Sequence, residues 1–165
     1  MALKNSLLIE LKRETDNTRR VLERLDDAHW DFKPHPKSHS LGALASHIVE
    51  LHNWVADALP KDAFDFKADY VPMSATNVAA LIKALDEGYE RNKQSMEASA
   101  DDHWQGQWTL KAGDWVIAEQ SRAEGIRFII NNHLVHHRGQ LTVYLRLLDI
   151  PVPGIYGPSA DEPQG

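Results

Sequence analysis

Three histidines fall within five residues of the stretch Asn132-His133-Leu134-Val135-His136-His137-Arg138-Gly139-Gln140. His133 and His137 are four apart, so on a helix both side chains project from one face, one turn above the other. Two imidazoles so placed make half of a metal site, and His47, on an upstream amphipathic segment, can supply the rest. Three neutral imidazoles hold a divalent first-row ion at about 2.0–2.1 Å and leave positions for water or substrate. That is the layout of a catalytic centre, since structural zinc sites are usually closed. Zinc or nickel suits this donor set best, with iron or manganese as alternatives. No single catalytic residue is identifiable from the sequence.

An ideal helix advances about 100° per residue. With His133 at zero, His137 lies near +40°, Gln140 near about −20° and Tyr144 near about +20°. Ile126, Ile129 and Ile130 fall within about 60°, and Arg122 and Glu119 join the stripe if the helix reaches that far. Polar groups on a core stripe predict a pocket, with Gln140, Tyr144 and Arg122 as candidate lining residues. His136, near about −60°, can replace His137 as a ligand. His47 flanks the Leu44, Ile48, Leu51 stripe by one step, whereas His52 leans to the other side.

Other metal chemistries lack their residues. Leu134 stands where a His-Glu-x-x-His protease carries its general base. No histidine has a glutamate three residues before it, so the di-iron Glu-x-x-His pattern is absent. There is no phosphate-binding loop and no nucleophile elbow.

The elements that must position these residues are helices. Leu7, Leu8, Leu11, Thr15, Thr18, Val21, Leu22 and Leu25 recur at helical spacing and predict a first helix over about 3–25. Pro34 and Pro36 then break the pattern, and Ser40 is a good N-cap for a second helix over about 41–59. A loop around Phe64-Asp65-Phe66 leads to Ser74, a candidate cap for a third helix over about 75–98. Residues 101–117 are aromatic and partly alternating, with a Gly113-Asp114 turn signal, and read as an irregular or hairpin insertion. The last helix is expected over about 118–148, and residues 151–165 as an irregular tail. The fold class is therefore expected to be all-α, a four-helix bundle with a short insertion before its last helix.

With 165 residues, 42% hydrophobic and 25% charged, the chain fits one globular domain over 1–165. No apolar run is long enough for a membrane span, and the N-terminal apolar stretch is too short for a signal peptide. A net charge of −6 disfavours nucleic acid. Lys12, Arg13, Arg19, Arg20 and Arg24 alternate with carboxylates and read as a solvated face. The absence of cysteine removes disulfides and thiolate ligands and agrees with a cytoplasmic location.

The segment from Asn131 through His-His-Arg-Gly-Gln and Tyr144-Leu145-Arg146 to Tyr156-Gly157-Pro158-Ser159 resembles the DinB family of bacterial proteins, the DinB/YfiT-like metalloenzymes. So do Ser40-Leu41-Gly42-Ala43-Leu44-Ala45-Ser46-His47-Ile48 and the stretch from Trp30 to Pro36. The resemblance implies a bundle of up-down-down-up order. It also implies a divalent metal held by His47, His133 and His137. It further implies a homodimer, and in some relatives group transfer with low-molecular-weight thiols. The aromatics of 101–117 and of Phe64 and Phe66 give a local reason for a two-fold interface. The leading expectation is a metal-dependent enzyme on a small molecule, a thiol-dependent transferase. The rival is a non-catalytic stress-response or ligand-binding protein whose metal is a structural pin.

Overall fold

Helix α1 (Leu3–Leu22) buries Leu7, Leu11, Thr15, Thr18, Val21 and Leu22, a stripe at helical spacing, while its charged residues face outward. The computed structural model describes residues 2–163, so Met1 and the last two residues of the expected tail, Gln164 and Gly165, lie outside the described residues. A short 3₁₀ turn (Asp27–His29) and an irregular, proline-containing stretch lead to α2 (Leu41–Asp57). The Ser40 hydroxyl caps α2 by accepting from Ala43 N–H at 3.2 Å. Gly42 lets α2 approach the Trp30 indole, because a Cβ there would overlap the ring.

Helix α2 is buried on nearly every side, from Leu41 and Leu44 to Trp54 and Val55. It packs against α3 (Val78–Ala98) and against the C-terminal helix, and α1 packs against the same two. α3 starts later than the Ser74 cap predicts. Asn77 is its N-cap, accepting from Ala80 N–H, while Val78 N–H donates to Asp27.

The fold is not all-α. A mixed three-stranded sheet, in the order β1-β2-β3, packs on one end of the helices. β1 (Ala63–Asp65) runs parallel to β2 (Gln107–Ala112), and β2 pairs antiparallel with β3 (Trp115–Ser121). The Gly113-Asp114 turn closes the hairpin with Gly113 at φ 65°, a conformation glycine adopts without cost. Alternation does the rest. Trp108 and Leu110 point into the core, and the Trp108 indole N–H donates to the Ala58 carbonyl at 3.2 Å. Phe64 of β1 packs on Trp54.

The sheet also takes residues 118–121 from the expected last helix. That helix starts at α4 (Arg122–Glu124), where Ser121 and Glu124 form a reciprocal capping box. α4 continues into a π-helical segment (Gly125–Asn131) and then α5 (Asn132–Leu147). After α5 the chain turns at Asp149 and returns over α1 as a non-helical tail, held by Arg20 and Arg24 on Glu162. No helix among the described residues is long and apolar enough to cross a membrane.

Candidate metal centre

α2 carries His47 and α5 carries His133 and His137 to the same place. Their ring centroids are 5.2 Å apart for His47–His133, 4.9 Å for His47–His137 and 4.6 Å for His133–His137. One nitrogen from each ring lies within 4.8 Å of the other two, and all three residues are partly buried. The two α5 histidines sit beside the helix's buried residues Leu134, Arg138, Leu141 and Leu145, with the buried Tyr144 below them on their own side. They are therefore at the core boundary, about one residue's rotation from the stripe of Leu134 and Arg138. The π-helical segment upstream turns less per residue than an α-helix, so a 100° wheel does not carry across it.

Two of the three rings are oriented by partners. His47 Nδ1 lies 3.2 Å from Glu50 Oε1, and His137 Nδ1 lies 2.8 Å from Gln140 Oε1. An acceptor at Nδ1 fixes the proton there and leaves Nε2 as the lone-pair donor, the arrangement found in metal-binding histidines. Glu50 is itself held by the Tyr70 hydroxyl at 3.0 Å and Met73 N–H at 2.8 Å. Burial acts to raise the Glu50 pKa, but these hydrogen bonds outweigh it and hold the carboxyl below its usual range.

The electrostatics suit a cation. Burial, and then the neighbouring imidazoles, push His133 down to about 4. Burial also lowers His137, against the opposing effect of the hydrogen bond that its Nδ1 donates to Gln140 Oε1. Both rings are thus neutral near pH 7, the form a metal requires. An all-imidazole donor set, with two of its rings oriented through Nδ1, fits a divalent transition ion.

Two clefts flank the triad. One of about 490 Å³ reaches His47 and is walled by Trp30, Tyr70 and Met73. The other, of about 350 Å³, holds His137, Gln140, Tyr144 and Lys37. His39 lines both.

Comparison with known proteins agrees with this architecture. The DinB family matches residues 1–165. The chain belongs to the DinB family. It is 28% identical over 150 residues to YrdA of Bacillus subtilis (strain 168), itself uncharacterized, covering 90% of this chain and 85% of that one. A crystal structure of a DinB-like protein from Bacillus cereus superposes with a TM-score of 0.73 at 22% identity, over 92% of this chain and 97% of that one. The DinB-like protein YjoA of Bacillus subtilis gives 0.69 at 16% identity, over 87% and 92%. These structural likenesses concern the fold.

The other candidate residues of this DinB protein are placed as follows. His136 turns to Gln140, 3.1 Å from its side-chain nitrogen, and stands outside the nitrogen triad. Tyr144 lines the smaller cleft, its hydroxyl donating to the His39 carbonyl at 3.1 Å. Arg122 is engaged elsewhere. It is buried and donates to the carbonyls of Leu59, Gln107 and Lys61 and to Asp62, clamping the sheet to the end of α2. His52 is a core histidine between Thr15 and Asn53, pushed down to about 4 by burial.

Glu50, Tyr70, Met73 and His39 do not emerge from the sequence reading. A signal existed for Glu50: His47 and Glu50 are three apart, which puts both on one helix face.

Proposed function

We propose that this DinB-family protein is a divalent-metal-dependent enzyme acting on a small molecule, with thiol-dependent group transfer as its reaction class. The supporting observation is the convergence of three imidazole nitrogens within 4.8 Å beside two solvent-reaching clefts. His47, His133 and His137 would hold zinc or nickel, with iron or manganese as alternatives. Such an ion, when bound, lowers the pKa of a thiol or water at its open position. In the transfer the thiol sulfur replaces a leaving group on an electrophilic carbon, and the thiol proton departs with that group as an acid.

The chain's own residues supply orientation. Glu50 and Gln140 fix the rings of His47 and His137. Trp30, Tyr70 and Met73 provide apolar walls that a small substrate can contact. No cysteine competes with the substrate thiol.

We also place the protein in the cytoplasm as a homodimer. The outer strand β3 supports the dimer, since it is a sheet edge and exposes Trp115, Val116 and Ile117. The function is tested by screening metal-loaded protein against low-molecular-weight thiols and electrophiles beside His137→Ala. Turnover by the parent and not the variant supports it. Equal turnover contradicts a metal enzyme, and absence of turnover with intact metal binding favours the structural-pin rival.

A further inference from the structure

Glu50 is nearly buried, and its carboxylate joins His47 to the 70–76 segment. Oε1 receives His47 Nδ1 at 3.2 Å and the Tyr70 hydroxyl at 3.0 Å, while Oε2 receives Met73 N–H at 2.8 Å. Residues 70–76 belong to no helix or strand. Among the described residues, the hydrogen bonds that hold this segment are those two, from Tyr70 and Met73. Packing contacts also hold it, such as the Tyr70 ring on Phe66 and Trp54. The same segment walls space on both sides. Tyr70, Pro72 and Met73 line the cleft of about 490 Å³ beside His47 and a second cleft of about 400 Å³ beside Trp54 and Asp57.

We propose that Glu50 is a positioning residue that couples metal ligation at His47 to the order of the 70–76 segment, so that filling the triad firms the wall of the substrate cleft. The inference rests on the metal-centre reading above and adds a consequence to it. A ligated His47 ring loses the freedom to tilt, and the carboxylate on its Nδ1 loses it too. Tyr70 and Met73 then have a fixed acceptor in place of a mobile one. The coupling is reciprocal: whatever displaces the 70–76 segment weakens ion binding by the same factor by which the ion resists that displacement.

The Met73 amide is a direct reporter, because its N–H ends on Glu50. The experiment uses the full chain with zinc alone as probe. Hydrogen exchange of a peptide spanning 66–77 is followed with and without zinc, and zinc affinity is measured by chelator competition for the parent, Glu50→Gln and Tyr70→Phe. The glutamine keeps the shape but turns an NH₂ toward one of the three donors. Zinc is expected to slow exchange at Met73 several-fold in the parent. Glu50→Gln is expected to bind zinc about 10- to 100-fold more weakly, the usual effect of losing the partner that orients a ligand histidine, and to lose that protection. Tyr70→Phe, which keeps the other two bonds, serves if Glu50→Gln does not fold, and is expected to bind zinc more weakly by a few-fold. Zinc binding by the parent with unchanged exchange at Met73 overturns the coupling and leaves the metal centre standing. So does wild-type affinity in both variants. A parent that binds no zinc overturns the metal centre and the coupling together.

Discussion

Arg122→Ala separates a pocket residue from a structural clamp. The sequence placed Arg122 on the histidine stripe, where it would line a substrate pocket. In the structure its guanidinium makes four hydrogen bonds, to the carbonyls of Leu59, Gln107 and Lys61 and to the Asp62 carboxylate. Asp62 is fully exposed and regains water on truncation, so that contact contributes little. The carbonyl bonds, each to a charged donor, are worth about 1.5–3 kcal/mol apiece, and they are not additive. A loss of about 4 kcal/mol is expected, which lowers Tm by about 12 °C in a chain of this size. Urea unfolding with and without the substitution gives the stability, and a zinc titration of the folded variant gives the site. The expectation is a large loss of stability with zinc affinity unchanged. A stability loss below about 1 kcal/mol, or a folded variant with impaired zinc binding, refutes the clamp.

Other expectations follow from single residues. His52 is buried neutral with a pKa of about 4 against an ordinary 6.5, so the unfolded chain takes the proton first. Its contribution is complete above pH 6.5 and drains away as pH falls toward 4, about 3 kcal/mol in all, so His52→Gln should flatten stability against pH in that window. Arg138→Ala removes the buried partner of Glu14 and a contact of Tyr156, and should cost about 3–5 kcal/mol in urea unfolding. Trp115→Ala, on the exposed edge strand, should convert the proposed dimer to monomer by light scattering without loss of stability. Trp108 cannot serve the same test, because it is fully buried and its loss would strike the core.

The helices were legible because their stripes were long. Leu7, Leu11, Val21 and Leu22, or Leu44, Ile48, Leu51 and Val55, repeat over several turns, and burial follows them. Ser40 announced α2 through hydroxyl chemistry alone. The sheet was not legible to the same degree. β1 has three residues, too few for an alternating pattern, and it is stabilised by pairing with β2, more than forty positions away. Ala118-Glu119-Gln120 favour helices, so the end of β3 carries no strand signal of its own, and the Ser121/Glu124 capping box marks the true start of the helix.

At the site, His133 and His137 came together because i, i+4 spacing survives any rotation of the helix. The residues upstream are not placed by the same wheel, since seven π-helical residues interrupt the 100° register and leave no mark in composition. Arg122 shows the same limit from another side. A wheel places a polar residue on a buried stripe but does not distinguish a cavity from three backbone carbonyls.

The central claim is that His47, His133 and His137 form one metal site. Zinc stoichiometry settles it most directly, measured on purified protein stripped and reloaded, with His133→Ala and His136→Ala alongside. One ion per chain is expected in the parent and in His136→Ala, with loss of tight binding in His133→Ala. A parent without stoichiometric zinc, or a His133→Ala protein that binds as the parent does, would contradict the account.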